Sequence, residues 1–345
     1  MGIKDLNQFL RTNCSEEAIK RIQISQLSGK KIAVDISIYL YKYVLDNTLI
    51  ESMFSLLGCF RENNIIPIFV FDGKSPAEKK ALLEKRKQDK KAAEREYKAL
   101  KSVLENNDEM DEINRQEIIA SMDLLKKQFV YINKEHIQRV KQLIIYFGMT
   151  YYDAPGEADE LCASLVIKKK VWGVMSEDMD MFVYGCHKVL RYFSLLNQSV
   201  VVYSMKLILE ELGLTQKEFR EICVLSGTDY NRNLNNSSRN NLMNSLKMFK
   251  KYRKSIKEIH NGEEICEQQY CVEQLNGVIP SYYDWVQEHT DCIEDYNMLM
   301  NIYDIFDLTT ERHNHVEIFE NIKIMNGTLD MQGMKPLLLE EGFIF

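Results

Sequence analysis

Acidic residues follow the apolar runs of this chain at positions where they could act together. Three of these runs are short and rich in β-branched residues, as in strands buried on both faces of a sheet. In an open parallel sheet, ligands gather outside the carboxyl ends of the strands. The acids after the runs are Asp35, Asp72, Asp178, Asp180 and Asp229, and Glu157, Asp159 and Glu160 open a predicted helix.

Carboxylates that meet at one edge of a sheet repel one another and destabilise the fold unless cations lie between them. Mg²⁺ and Mn²⁺ are the expected cations, because hard ions prefer oxygen ligands. Taken singly, each acid has an ordinary explanation as a helix cap, a turn residue or a first-turn acid. The recurrence of the pattern along the chain favours a metal site.

Hydrophobic periodicity predicts an α/β fold with a mostly parallel sheet flanked by helices. Strands are expected at 32–35, 65–71, 171–176 and 188–193, and helices at 36–44, 49–61 and 136–147. Residues 77–131 are highly charged and helical in pattern, with a break near Asn106-Asn107-Asp108 between two long helices. From Met205 onward helices are expected to dominate.

The formal net charge of −7 does not exclude a nucleic-acid partner, because charge is unevenly distributed. Between Lys79 and Lys101 there are ten basic residues against four acidic ones. The eight cysteines include no CxxC pair and no zinc-like spacing, so we expect reduced thiols in the nucleus or cytosol. No apolar stretch approaches membrane-spanning length, so no membrane partner is expected.

Six motifs of the chain resemble those of the flap endonuclease (XPG-type) family of structure-specific 5′ nucleases. They appear in family order and at near-family spacing across residues 1–230, and they are MGIKDL, VDISIYLY, FVFDGKSPAEKKALLEKR, YYDAPGEADELCASL, SEDMDMFVYG and LSGTDY. The resemblance implies two bound Mg²⁺ ions, which Mn²⁺ could replace, with Asp178 and Asp180 also counted as catalytic. The implied metal ligands are Asp35, Asp72, Glu157, Asp159, Asp178, Asp180 and Asp229. At Asp159 the family more often has Glu.

The resemblance also implies roles for basic residues after Asp72. Lys79 and Arg86 match a Lys and an Arg that contact the scissile phosphate in the family and stabilise its developing charge. Their spacing of seven residues predicts that both lie on one face of a helix. Lysines expected to attract phosphates more generally are Lys80, Lys85, Lys87, Lys90 and Lys91. A solvated basic face is the ordinary alternative.

Gly2 and Tyr41 are further candidates for contact with DNA. In the family the N-terminus lies close to the active site, which would explain a small residue at Gly2. Tyr41 matches an aromatic residue on which the family stacks a base near the cut. A core tyrosine explains Tyr41 nearly as well.

The chain departs from the family pattern in two places that read the substrate. Residues 41–72 are too few to hold the loop with which the flap endonuclease branch separates duplex arms and holds a 3′ flap. After Tyr230 the family has a glycine-containing loop that binds phosphate and K⁺, whereas residues 231–240 contain no glycine. We expect a weakened duplex grip, or one rebuilt from Asn, Ser, Arg232 and Arg239. The C-terminal residues carry no clamp-binding motif, so sliding-clamp recruitment is not expected.

The predicted organisation has nuclease regions at 1–105 and 136–230, a helical arch or cap over 77–135, and a helical region with a degenerate helix-two-turn-helix at 205–345. The expected activity is hydrolysis of DNA phosphodiesters near junctions of single and double strands, by endonucleolytic or 5′-exonucleolytic cutting, in replication, repair or recombination. A monomer is expected. The alternatives are a catalytically inactive DNA-binding scaffold of the same fold and a PIN-type ribonuclease.

Overall fold

The computed structural model describes residues 2–106, 112–231, 241–259, 279–309 and 322–345. These residues belong to two compact units that alternate along the chain. The first unit comprises Met1–Arg21, Ala163–Arg191 and Val201–Asn321, and the second comprises Ile22–Cys162, Tyr192–Val200 and Ile322–Phe345.

A seven-stranded sheet has the order β1-β7-β6-β5-β2-β3-β4. Its strands are β1 (Ile19–Gln23), β2 (Lys31–Asp35), β3 (Ile66–Phe71), β4 (Thr150–Asp153), β5 (Gly173–Met175), β6 (Lys188–Ser194) and β7 (Ser199–Ser204). The pairs β2–β3, β3–β4 and β5–β6 are parallel. The mostly parallel sheet flanked by helices is therefore confirmed, together with the four strands that the sequence predicts.

Three strands were absent from the prediction, for different reasons. The outer strands β1 and β4 have no buried residues, so neither carries the apolar run that marks a buried strand. In contrast, β7 is mostly buried and contains Val200-Val201-Val202-Tyr203, a run that periodicity could have identified.

Helices of the second unit flank its strands or extend from them. They are α2 (Ser37–Leu45), α3 (Leu49–Glu62), α4 (Lys80–Asn106), α5 (Glu112–Lys126), α6 (Lys134–Tyr146) and, near the C-terminus, α14 (Met331–Glu340). Helix α7 (Ala158–Ile167) crosses the division between the units. Between Tyr41 and Asp72 the chain holds the end of α2, then α3 and β3, joined by connections of only three residues each, 46–48 and 63–65.

Helices account for most of the described residues of the first unit, as the sequence predicts beyond Met205. They are α1 (Leu6–Asn13), α8 (Asp180–Tyr184), α9 (Met205–Leu212), α10 (Gln216–Ser226), α11 (Leu242–Ile259), α12 (Tyr282–His289) and α13 (Tyr296–Phe306). No helix within the described ranges combines the length and the apolar character needed to cross a membrane.

Helices α4 and α5 form a two-helix arm, which the sequence predicts as two long helices. Helix α4 has 27 residues, a length of about 40 Å, yet its one buried residue is Ala93. It packs against α5, and just beyond that helix the ring of Phe129 meets the ring of Tyr97 at 5.3 Å between centroids. The predicted break between the helices falls mainly on residues 107–111, outside the described part of the chain.

Glu221 is a buried acid of α10 and makes the stability of the first unit depend on pH. Burial raises the pKa of its carboxyl group to about 7, with the charge of Lys217 acting in the opposite direction. The folded state therefore holds the proton more tightly than the unfolded state, whose pKa lies near 4.5. The contribution of Glu221 to stability falls as pH rises from about 4.5 to 7.

We predict that Glu221→Gln changes the free energy of unfolding more favourably at pH 8 than at pH 4, because the amide carries no charge to bury. The difference between the two effects is expected to be on the order of 3 kcal/mol. Urea unfolding at both pH values measures the difference. Glu210→Gln is the control, since Glu210 is an exposed glutamate of α9. Equal pH dependence in the Glu221→Gln variant and the unmodified protein would contradict the assignment.

Candidate active site

The first acidic group, in the second unit, is built at the ends of two neighbouring strands. Asp35 is the last residue of β2, and Asp72 follows the last residue of β3. Ser37 binds both: its N–H donates to Asp35 Oδ1 at 3.1 Å, and its hydroxyl donates to Asp72 Oδ2 at 2.5 Å. One serine thereby fixes the side chains of two predicted metal ligands.

Asp72 also connects β3 to the start of α7. Its Oδ1 accepts a hydrogen bond of 2.9 Å from the N–H of Ala158, the first residue of that helix. Gly73 N–H donates to the carbonyl of Gly156 at 2.8 Å, and a side chain at Gly73 would overlap the carbonyl oxygen of Ala154. This close backbone approach requires glycine, and it holds the start of α7, with its acids, against the end of β3.

Lys79 and Arg86 lie in different surroundings. Lys79 is buried, and its Nζ lies 2.7 Å from Glu157 Oε2. Lys79 ends a short 3₁₀ turn, Ala77–Lys79, that leads directly into α4, the helix that carries Arg86. Arg86 is exposed on α4, as are Lys80, Lys85, Lys87 and Lys91.

The second acidic group, in the first unit, follows β5 in a short loop. Asp178 N–H donates to Ser176 Oγ at 3.1 Å, and Asp180 N–H donates to Asp178 Oδ1 at 3.0 Å. Both aspartates are less than 10% exposed. The loop thus orients the carboxylates through its own backbone and places Asp180 at the first position of α8.

Gly2 lies against this second group. Its φ of +73° is in the left-handed region, and a Cβ at this position would collide with Oδ1 of Asp178 and lie 2.5 Å from Oδ1 of Asp180. The two carboxylate oxygens therefore approach the same side of one backbone α-carbon. This geometry gives a physical reason for glycine at position 2.

Arg191 of β6 holds the loop of the second group, a role that sequence reasoning missed. Its guanidinium donates to the carbonyl of Glu177 at 2.9 Å and to Asn7 Oδ1 at 2.8 Å. The same Asn7 oxygen accepts a hydrogen bond of 2.8 Å from the Tyr203 hydroxyl. Arg191 is buried, and a charged residue inside a predicted strand is the signal that could have indicated it.

Asp229 is buried in a turn that Asn231 organises. Asn231 Oδ1 accepts hydrogen bonds from the N–H of Thr228 at 2.6 Å and from its hydroxyl at 3.0 Å, while Asn231 Nδ2 donates to the Val224 carbonyl at 3.0 Å. Sequence analysis placed Asn231 in a polar stretch, whereas it is buried. Arg232 and Arg239 lie outside the described residues.

The donor chemistry of these acids fits a hard divalent cation. Among the described residues, no three Asp, Glu, His or Cys side chains form a group that would hold an ion unaided. Mg²⁺ does not require such a group, because it commonly keeps several waters and binds one or two carboxylates together with substrate phosphates. The buried carboxylates of Asp35, Asp178, Asp180 and Asp229 would offer oxygen atoms of this kind.

Models of two protein-family regions match the chain at the parts that carry these acids. The XPG N-terminal domain matches residues 1–93, and the XPG I-region matches residues 148–229. Flap endonuclease 1 of Encephalitozoon cuniculi is 34% identical over 249 residues, which cover 67% of this chain and 68% of that protein. Flap endonuclease 1 of Glossina morsitans morsitans is 33% identical over 268 residues, which cover 72% and 66%.

Solved structures share the fold over nearly the whole chain. The catalytic core of Rad2 in complex with DNA substrate covers 99% of this chain and 96% of its own, with a TM-score of 0.64 and 20% identity. The Holliday junction-resolving enzyme GEN1, in complex with product DNA, Mg²⁺ and Mn²⁺, covers 98% and 72%, with a TM-score of 0.55 and 18% identity.

The mostly parallel sheet flanked by helices makes this an α/β protein, and its two acidic groups place carboxylates near the ends of the strands. The chain belongs to the XPG family, which includes the flap endonucleases. The matched segments span 58% to 68% of the length of the flap endonucleases compared.

We predict that Gly2→Ala weakens Mn²⁺ binding roughly 10-fold, because the new methyl group displaces the Asp178 and Asp180 carboxylates. Electron paramagnetic resonance of free Mn²⁺ during a titration measures the affinity. Gly29→Ala is a matched control, since Gly29 has a similar φ of +71° but an added Cβ would meet nothing within 4 Å. Equal Mn²⁺ affinity in both variants would show that the clash does not reach the carboxylates.

Proposed function

We propose that this chain is a structure-specific 5′ nuclease that hydrolyses DNA phosphodiesters near junctions of single and double strands. The observation that carries the proposal is the placement of acids at or just after the ends of β2, β3 and β5, with Asp35 and Asp178 buried and Asp72 exposed, in a chain of the XPG family. Both 5′-flap endonuclease and 5′-3′ exonuclease cutting belong to the proposal. The substrate is DNA with a 5′ single-strand/duplex junction, and the protein acts as a monomer in an intracellular, reducing compartment.

The acids of the two groups are proposed to be the ligands of two Mg²⁺ ions, which Mn²⁺ can replace. The ligands would be Asp35, Asp72, Glu157 and Asp159 of the first group and Asp178, Asp180 and Asp229 of the second. Bound divalent ions would supply the chemistry that activates a water molecule and shields the charge of the phosphate. The serine, backbone and arginine contacts described above keep the carboxylates oriented before substrate arrives.

Lys79 and Arg86 are proposed to contact the scissile phosphate. The Lys79 ammonium is held at 2.7 Å from Glu157, beside the proposed metal ligands, so a phosphate bound there meets a cation that is already positioned. Arg86 is exposed on α4 and can reach a phosphate only after DNA approaches the arm. The exposed lysines of α4 attract the strand without reading its sequence, and this attraction weakens as salt concentration rises.

Junction recognition is proposed to be looser than that of a replicative flap enzyme. The stretch between Tyr41 and Asp72 contains only the end of α2, α3 and β3, so no additional loop separates duplex arms there. Residues 231–240, directly after Tyr230, contain no glycine that could bring the backbone close to a phosphate. Without that loop and without that glycine, the protein has fewer contacts with which to select one junction geometry over another.

We predict that Asp72→Asn and Asp178→Asn each reduce Mg²⁺-dependent cleavage of a 5′-labelled DNA flap by about 100-fold or more, because each removes a metal ligand from one acidic group. Asp153→Asn is the control: Asp153 also ends a strand, but its carboxylate is paired with Lys141. Nicked, gapped and blunt duplexes tested in parallel rank the junction preference.

Two outcomes would replace the proposal. If the unmodified protein binds these DNA substrates but cuts none at any Mg²⁺ or Mn²⁺ concentration, it is a DNA-binding scaffold of this fold. If cutting requires a 2′-hydroxyl beside the cleaved bond, it is a ribonuclease. Loss of cleavage in Asp153→Asn equal to that in Asp72→Asn would contradict the assignment of the ligands.

A further inference from the structure

Three side chains of the second unit converge at the start of the two-helix arm. Lys90 of α4 places its Nζ 4.9 Å from the ring centroid of Tyr41 in α2 and 5.7 Å from that of Tyr131, which follows α5. The ammonium also donates a hydrogen bond of 3.0 Å to the carbonyl of Val130. One cation therefore lies beside two aromatic rings that come from separate parts of the chain.

Lys90 differs from the neighbouring basic residues of its helix. Lys85, Arg86, Lys87 and Lys91 are exposed, whereas Lys90 is half-buried. Desolvation, with the nearby charge of Arg86 as a second cause, lowers the pKa of Lys90. Its ammonium is directed to the rings and the carbonyl, where cation–π attraction compensates for lost water.

The two rings stay accessible although the lysine lies beside each of them. Tyr41 is 43% exposed and Tyr131 is 52% exposed. The hydroxyl of Tyr131 donates a hydrogen bond of 3.0 Å to Glu94, which in turn accepts one of 2.7 Å from Lys98. Tyr131 is therefore held at its polar end while much of the residue faces solvent, an arrangement suited to a stacking ligand.

We propose that Tyr131, together with Tyr41 and Lys90, forms a nucleobase-binding clamp for an unpaired base of the 5′ single strand. The resemblance to the family implied stacking for Tyr41 alone, so the clamp adds Tyr131 as a second stacking residue. Lys90 positions the rings and contacts the phosphate next to the bound base. This inference rests on the proposed function, since it names how the same DNA strand is held.

The chemistry of an unpaired DNA base matches this arrangement. Every base has two aromatic faces, and stacking on an aromatic side chain tolerates any sequence. A phosphate lies next to every base and attracts the ammonium between the rings. A paired base, by contrast, has its faces covered by its neighbours in the duplex, so the clamp favours the single-stranded side of a junction.

The test uses the full chain with Ca²⁺ in place of Mg²⁺ and a 5′-flap DNA that carries 2-aminopurine at one single-stranded position at a time. We expect Tyr131→Leu to bind the flap roughly 5- to 100-fold more weakly and to lose the fluorescence change at one position. Binding to a blunt duplex should stay unchanged. Tyr131→Phe keeps the ring and should restore both signals even without the bond to Glu94.

Two control variants distinguish the loss of base stacking from a destabilisation of the two-helix arm. Ile119→Ala removes an exposed apolar side chain from α5 and should alter neither flap binding nor fluorescence. Lys90→Met keeps the length of the side chain but removes the charge, and it should weaken flap binding and lower its salt dependence. If Tyr131→Leu lowers thermal stability, Tyr131→Trp and Tyr131→Phe decide the matter, because both retain a stacking surface.

The clamp is overturned if Tyr131→Leu binds flap and duplex as the unmodified protein does, with the same 2-aminopurine response at every position. It is also overturned if Tyr131→Phe and Tyr131→Trp lose binding as fully as Tyr131→Leu, since the contact with Glu94 would then be decisive. Failure of the proposed function looks different: the unmodified protein would cut no DNA, whatever its fluorescence response.

Discussion

Carboxylates withdrawn from water must meet hydrogen-bond donors or cations, and this requirement governs how both acidic groups are built. In the first group the buried Asp35 accepts a hydrogen bond from Ser37, which also binds the exposed Asp72. In the second group the loop after β5 supplies its own N–H, which binds Asp178. Most of these donors are neutral, so negative charge remains at each group and favours divalent cations.

Close backbone approaches and one buried arginine give the acids their fixed positions. Gly73 lets the segment after β3 lie directly on the segment before α7, and Gly2 lets the N-terminus lie directly on Asp178 and Asp180. Arg191 joins the loop of the second group to Asn7 near the start of α1. Because a ligand must be held within a fraction of an ångström, these supporting residues matter as much as the ligands.

The two-helix arm is supported quite differently from the sheet. The strands β2 and β3 are buried almost throughout, whereas α4 buries only Ala93 along its length. Its attachments include the contacts of Lys90 and the ring pair of Tyr97 and Phe129. A helix with so little apolar burial unfolds locally at a low cost in free energy. This property suits a segment that contacts a ligand whose path along the protein varies.

The sequence by itself determined the strands β2, β3, β5 and β6, the helices beyond Met205 and the acids at the strand ends. It could do so because a strand buried in a parallel sheet must be an unbroken apolar run, and the acid follows that run directly. Only the tertiary structure decided which groups hold those acids and where Lys79 and Lys90 direct their charge. The physical reason is distance along the chain: Asn7 binds Arg191, and Tyr41 meets Lys90 and Tyr131. The pattern of neighbouring residues in the sequence carries no information on contacts between distant residues that meet only when the chain packs.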